Sequence, residues 1–188
     1  ERELLSAVRI CIAPKDNHRL NHHRCAAEYL DICSDKKVDH LHQCGADLIL
    51  DLRNNGGGEI NAAMQVANAF LEDGVNMMYM VAPQGTYNYM SENEAESVPL
   101  LVLQNENTAS ASEVIIGALA ESENVTTLGT KTFGKGIVQT IMQLDSGAGL
   151  RYTSSRYLTG SGKEVHKIGI KPDIVYDQPK GTNILASY

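Results

Sequence analysis

Short apolar runs separated by polar segments follow one another along most of the chain after residue 45. Residues 47–52 form such a run, and a short continuous apolar run is typical of a strand buried in a parallel sheet. Further strands are predicted at residues 77–81, 99–103, 125–128 and 173–176, and the run at 99–103 is again expected to be buried. Helical spacing instead predicts helices that begin near Ile60 and Ser112. Apolar positions that repeat at this spacing are Ile60, Met64, Ala67 and Leu71.

Two longer segments have a different character. Residues 138–144 and 150–157 flank a Gly-containing turn, which predicts a β-hairpin. Residues 82–97 contain three glutamates and are predicted to form a polar loop, long enough for a lid or another substrate-side element. Strand–helix–strand alternation followed by a hairpin predicts an α/β fold.

The first 44 residues differ in composition from the rest of the chain. All 16 glycines lie from Gly45 onward, whereas all four cysteines and five of the six histidines lie before it. Residues 4–12 fit either a strand or a short helix, and residues 22–44 mostly favour helix. We therefore expect two parts: residues 1–44 as a mostly helical segment packed on the core, and residues 45–188 as the core itself.

The cysteines and histidines of the first part invite a zinc interpretation. The spacing of the cysteines argues against zinc, because it contains no C-x-x-C pair and matches no usual zinc finger. Disulfides and buried free thiols both remain open, and no metal site is expected. The cysteines are Cys11, Cys25, Cys33 and Cys44.

Length and charge exclude several classes of protein. A chain of 188 residues favours a single domain, and its net charge of −7 without a basic stripe is a poor match for nucleic acid or an anionic membrane surface. No apolar run approaches the roughly 18 residues of a transmembrane helix. The N-terminus lacks a signal-peptide pattern, and because the chain begins at Glu1 we expect a processed form or an excised fragment.

Three loops that follow predicted strands contain the residues best suited to chemistry, since sites in α/β sheets gather at the carboxyl ends of strands. Three consecutive glycines, at residues 56–58, allow backbone N–H groups to approach a ligand, as an oxyanion hole requires. Ser110 lies where a strand passes into a helix, near free N–H groups. Lys135 stands between two glycines, bracketed by Phe133 and Ile137, and apolar surroundings would lower its pKa and make it a general base.

Each loop also has a simpler interpretation. The glycines form a flexible turn, and Lys135 is a solvated surface side chain. Ser110 or Ser112 is a helix cap, with Glu113 completing a capping box from Ser110. His166 is the only histidine after residue 44 and is the one alternative base for a Ser-His-Asp triad.

Taken together, the motifs resemble the C-terminal processing proteases, also called tail-specific proteases. The resemblance covers about residues 45–177, in order and with the spacing of the family. The matching motifs are residues 48–58, 105–113, 134–139, 156–157 and 169–174. Several motifs in register are far more specific than any one of them alone.

The resemblance implies a crotonase-like/ClpP-like α/β core that carries a serine endopeptidase with a Ser-Lys dyad. Ser110 matches the nucleophile, Lys135 the general base and Gln139 the residue that positions the lysine. The backbone N–H groups of Gly58 and Ala111 match the oxyanion hole. Such chemistry needs no metal or organic cofactor.

The resemblance further implies unfolded or C-terminal segments of proteins as substrates, including membrane-associated ones, and an extracytoplasmic location: periplasm, cell envelope or secreted. A homo-oligomer or a regulatory partner is also compatible with it, and nucleic acid is not an expected partner. The alternative is a non-catalytic ligand- or peptide-binding module on the same fold, as in the retinoid-binding repeats that resemble these proteases.

This sequence departs from the family pattern in three respects. Gly56 and Gly160 stand where the family usually has proline. No PDZ domain, the module that recognises the substrate's C-terminus in many members, is evident, and residues 1–44 are too short to contain one. We therefore expect either a trimmed catalytic core or a different way of selecting substrates.

Overall fold

The computed structural model of the chain describes residues 9–13, 47–92, 99–177 and 179. The helix predicted at residues 22–44 and three of the four cysteines lie outside the described residues, and of residues 9–13 only the backbone is described.

The elements follow the predicted alternation of strands and helices. In chain order they are β1 (Arg9–Ala13), β2 (Asp47–Asp51), α1 (Ile60–Asn68), β3 (Asn76–Ala82), β4 (Gly85–Met90), β5 (Leu100–Gln104), α2 (Ala111–Leu119), β6 (Val125–Gly129), β7 (Ile137–Gln143), β8 (Gly149–Thr159) and β9 (Ile174–Val175).

The strands form two sheets. The first has the order β1-β2-β5-β6-β9, in which β2, β5, β6 and β9 are parallel and β1 is antiparallel to β2. Its register pairs Leu50 with Val102 and Val102 with Thr127. The second sheet, with the order β4-β3-β8-β7, is antiparallel throughout. The predicted α/β fold with a hairpin near its C-terminal end is confirmed, and that hairpin is β7–β8.

Helix α2 connects the core to the second sheet. Every residue of this helix is buried, and it packs against α1, β3 and β8. Its Ile115 and Leu119 belong to the same hydrophobic cluster as Leu50 of the first sheet and Met78 and Tyr157 of the second. Burying one large apolar side chain contributes about 1.5–3 kcal/mol, so this cluster holds the start of α2 in place.

The prediction of a polar loop at residues 82–97 is wrong in its first half, because Gly85–Met90 forms β4. β4 pairs with β3 through a tight turn, and nearly all of its side chains are exposed. A strand at a sheet edge with two solvated faces has no alternation of apolar and polar residues, so the usual signal for a strand is missing. Residues 93–98 lie outside the described part of the chain.

Neither helix in the described part of the chain has the length and apolar character needed to span a membrane.

Candidate active site

The three loops that the sequence singled out lie together at the carboxyl ends of strands in the first sheet. They follow β2, β5 and β6, and these three strands are parallel neighbours, so their carboxyl ends point the same way. The prediction that the three loops gather is therefore confirmed.

Hydrogen bonds join the first loop to the second. The Ala109 N–H donates to the Asn55 carbonyl at 3.0 Å, and the Thr108 hydroxyl donates to the Leu52 carbonyl at 2.8 Å. The first loop begins at a forked ion pair, in which Arg53 Nε and Nη2 donate to the two Asp51 carboxylate oxygens at 2.8 and 2.6 Å. Paired bonds of this kind fix direction as well as distance, so the loop leaves β2 in a defined orientation.

Gly57 is the point where the two loops come closest. Its φ is +91°, and an added Cβ would lie 2.6 Å from the Ala109 carbonyl oxygen and 2.7 Å from the Ala111 nitrogen. The glycine loop is therefore pressed against the first residue of α2. Its neighbour Gly58 faces the cavity described below.

Ser110 occupies the N-cap position of α2 with φ +59° and ψ −122°, and it is half-buried. A residue other than glycine adopts these backbone angles only where its surroundings enforce them, and such residues cluster at functional sites. The Ser110 N–H donates to Glu113 Oε2 at 2.9 Å, which is the glutamate half of a capping box. The glutamate half of the predicted capping box is thus present, at a serine that also lines the cavity.

Glu113 is fully buried and accepts four hydrogen bonds. Besides the bond from Ser110, its Oε2 accepts the Lys135 N–H at 2.8 Å. Its Oε1 accepts the Thr132 hydroxyl at 2.6 Å and the Gly134 N–H at 2.7 Å. A buried carboxylate needs such donors to offset its desolvation, and here they come from two of the three loops.

The third loop places Lys135 in a half-buried position. The Phe133 N–H donates to the Thr108 carbonyl at 3.0 Å, which ties this loop to the second. The sequence predicted that Phe133 and Ile137 would surround Lys135 with apolar side chains. Phe133 does not do so, because its side chain is 65% exposed. Ile137 remains partly buried beside Lys135 in the wall of the cavity.

A cavity of about 310 Å³ opens between the loops and the start of β7. Four of the five predicted site residues line this cavity: Gly58, Ser110, Lys135 and Gln139. The fifth, Ala111, is buried immediately behind Gly57. The remaining lining residues are Glu59, Ile60, Asn61, Ile137, Val138 and Arg151.

His166 does not line this cavity. It lies in a segment that binds the third loop, since the Lys167 N–H donates to the Gly134 carbonyl at 2.8 Å. Its Nδ1 is buried and has no hydrogen-bond partner among the described residues. Lys135 therefore lines the cavity together with Ser110, and His166 does not.

Tyr157 is a site residue to which the sequence assigned no role beyond its motif. Its side chain is 1% exposed, and its hydroxyl lies 3.0 Å from both the Ser110 and the Lys135 carbonyl oxygens. Burial, with the nearby Glu113 carboxylate, raises the pKa of Tyr157 far above its ordinary value, so the hydroxyl stays a donor. The pairing of β8 with the third loop places the hydroxyl there, because the Tyr157 N–H donates to the Gly136 carbonyl at 3.0 Å.

The arrangement offers a serine hydroxyl, an amine and backbone N–H groups around one opening, which are the components of acyl transfer. In the described ranges, no three His, Cys, Asp or Glu side chains come together in a way that could hold a metal ion.

Comparison with known proteins places most of the chain in one family. Residues 35–176 match the family model described as peptidase family S41. A protein of Synechocystis sp. named "Carboxyl-terminal-processing protease" is 44% identical over 151 residues, which are 77% of this chain and 35% of that protein. A Staphylococcus aureus protein named "Probable CtpA-like serine protease" is 40% identical over 137 residues, 71% of this chain and 28% of that protein.

The fold is also similar to a solved structure. The photosystem II D1 C-terminal processing protease superposes with a TM-score of 0.69 at 38% identity, over 76% of this chain and 38% of that one. The present chain therefore spans about a third of the length of the relatives it matches.

Proposed function

The chain belongs to peptidase family S41, and on that premise we propose that it is a serine endopeptidase of the carboxyl-terminal-processing type, with Ser110 and Lys135 as a catalytic dyad. The names of its relatives support this reaction, and the residue roles rest on the motifs and the geometry.

One observation carries the proposal. Gly58, Ser110, Lys135 and Gln139 are scattered over more than 80 positions of the sequence, yet they line a single cavity. Because three separate loops and one strand must fold together to bring them there, chance proximity is a poor explanation. Catalysis requires just such a convergence of nucleophile, base and oxyanion donors.

The mechanism follows from the roles of these groups. The neutral Lys135 amine accepts the Ser110 hydroxyl proton while the serine oxygen attacks the peptide carbonyl, and the N–H groups of Gly58 and Ala111 stabilise the resulting oxyanion. The lysine then returns the proton to the leaving amine as the C–N bond breaks. Water hydrolyses the acyl-enzyme by the same route, with Lys135 again accepting and donating one proton. Gln139 orients the amine by hydrogen bonding.

The substrate binds in this proposal as an added strand on β7. β7 ends the order of the second sheet, and its outer edge is paired with no strand within the described residues. Its first residues line the cavity, so a peptide along this edge would bring its backbone to Ser110. Strand addition suits unfolded or C-terminal segments, since folded proteins rarely offer free backbone.

Three wider features complete the proposal. The protein acts outside the cytoplasm, on membrane-associated substrates among others, and it forms a homo-oligomer or binds a regulatory partner. Residues 45–188 form the catalytic core, and residues 1–44 are an N-terminal segment packed on it, of which Arg9–Ala13 adds β1 to the first sheet. The location, the substrates and the partners rest on the family resemblance, and the division of the chain rests also on the difference in composition.

The test is hydrolysis of an unfolded protein or a tail peptide by two variants. Ser110→Ala removes the nucleophile, and Lys135→Arg keeps a long basic side chain but replaces the base with a group that stays protonated. We expect both to lose activity by at least about 10³-fold, the usual scale for removing one member of such a unit. Undiminished hydrolysis by Ser110→Ala would contradict the proposal.

The matched control is Ser112→Ala. Ser112 lies two residues from the nucleophile, and its buried hydroxyl has no hydrogen-bond partner in the described part of the chain. This variant is expected to retain full activity. Covalent labelling of Ser110 by a fluorophosphonate distinguishes the peptidase from a binding module on the same fold, because a binding module has no activated serine.

A further inference from the structure

Two buried side chains outside the cavity, those of Glu113 and Tyr157, contact the backbone groups of Ser110 and Lys135. Glu113 Oε2 accepts the N–H groups of both residues, at 2.9 and 2.8 Å. The Tyr157 hydroxyl lies 3.0 Å from the carbonyl oxygens of the same two residues. Residues 110 and 135 are thus bridged twice, once through their N–H groups and once through their C=O groups.

Neither bridging side chain lines the cavity. Glu113 is completely buried in α2, and Tyr157 is 1% exposed on β8. Because neither side chain faces the cavity, a change in either one removes no group that a substrate would contact.

The elements that carry the two side chains are themselves firmly held. Tyr157 pairs with Met80 in β3 and bonds to the Gly136 carbonyl, while Glu113 also anchors Thr132 and Gly134 of the third loop. The Ser110 backbone is therefore tied to the second sheet through β8 and, through Glu113, to the third loop, which follows β6 of the first sheet.

We propose that Glu113 and Tyr157 are a pair of positioning residues that set the distance between the Ser110 nucleophile and the Lys135 base. This inference rests on the proposed function. Proton transfer needs the two groups in hydrogen-bond reach, and a displacement of about 1 Å can cost on the order of 10²-fold in rate. The pair also maintains the unfavourable backbone of Ser110, which would otherwise relax.

The direct test is Tyr157→Phe, which deletes one hydroxyl and keeps the buried ring. We expect the rate of fluorophosphonate labelling and kcat to fall together by about 10- to 100-fold. KM is expected to stay within about twofold, because no substrate contact changes. Tyr152→Phe, on the same strand but 43% exposed, is the matched control and is expected to behave like wild type.

A second variant approaches the other bridge. Glu113→Gln keeps the shape of the side chain but turns an NH₂ group toward at least one backbone N–H, and two donors cannot bond each other. We expect the same loss of labelling rate and kcat at constant KM. Glu123→Gln, on the surface beyond α2, is the control.

A structural role alone is separated from positioning by two measurements. Labelling rates are divided by the folded fraction of each variant from its thermal melt, and Tyr157→Phe is repeated in a Lys135→Ala background. If the tyrosine acts through the dyad, its effect shrinks once the base is gone.

The outcomes are distinct. A Tyr157→Phe loss that merely follows the folded fraction, or that is as large without Lys135 as with it, overturns the inference. A wild-type chain whose Ser110 is not labelled at all contradicts the proposed function instead.

Discussion

Gly57 shows how strongly a single position constrains this site. Its positive φ excludes most side chains, and the two atoms nearest to an added Cβ are backbone atoms of Ala109 and Ala111, which have little freedom to move. The approach of the glycine loop to α2 therefore depends on this residue having no side chain.

Replacing Gly57 with alanine is expected to separate the two loops. The strained backbone costs about 1–3 kcal/mol of unfolding free energy, and displacement of the oxyanion donors lowers kcat by at least about 10-fold. Gly56→Ala is the matched control, because a Cβ there meets no atom within 4 Å. Urea unfolding and peptide hydrolysis measure the two effects, and equal behaviour of the two variants would contradict this account.

Glu113 and Tyr157 show what residue-level sequence reasoning does not reveal. The pattern S-x-x-E indicated a capping box, and the structure contains its glutamate half. Nothing in that pattern indicated that the same carboxylate also binds three groups of a loop about 20 residues away. Tyr157 belongs to a recognised motif, yet its reach depends on the register of β8.

At the level of elements, the sequence predicted strands correctly where their burial leaves a pattern of apolar residues. β2 and β5 are short apolar runs, and the run centred on Leu50 lies in the core as expected. Residues 85–90 form a strand without that pattern, since both faces of β4 meet solvent. An exposed edge strand leaves no apolar alternation to detect.

The β7–β8 hairpin presents apolar side chains to solvent along the proposed substrate edge. Ile141 is 73% exposed and Met142 45% exposed. Such residues stabilise nothing in the core, so a bound peptide is the natural partner for them under the proposed function.

Changing both Ile141 and Met142 to threonine preserves strand propensity but removes apolar contact area. We expect KM for an unfolded protein substrate to rise several-fold, with kcat and the melting temperature nearly unchanged. The control is Tyr87→Thr, which removes an exposed apolar side chain from β4 at the opposite edge of the same sheet. An unchanged KM in the hairpin variant would argue against substrate pairing on β7.

For the molecule as a whole, the buried Tyr157 links the site to global stability. Because its folded-state pKa lies above the unfolded value of about 10, the folded protein must keep the hydroxyl protonated. Its contribution to stability is complete below pH 10 and is lost as the pH rises further, by up to about 1.4 kcal/mol per pH unit.

Urea unfolding between pH 8 and 11 tests this linkage. The wild type is expected to lose more unfolding free energy above pH 10 than Tyr157→Phe does, because the variant has no group to ionise at that position. Tyr152→Phe, which lacks only an exposed phenol, is expected to follow the wild type. Parallel curves for wild type and Tyr157→Phe would show that this side chain does not govern the alkaline limit.

The sequence by itself determined the α/β class, the family, most strand and helix positions and the residues best suited to chemistry. These features are visible because burial and turn geometry impose local patterns, and because several motifs occur in a fixed order. Only the tertiary structure decided which groups support the site. The double bridge from Glu113 and Tyr157 to Ser110 and Lys135 depends on parallel strand ends, on the register of β8 and on the close approach at Gly57. Contacts between residues this far apart in the chain arise from packing, which no local pattern encodes.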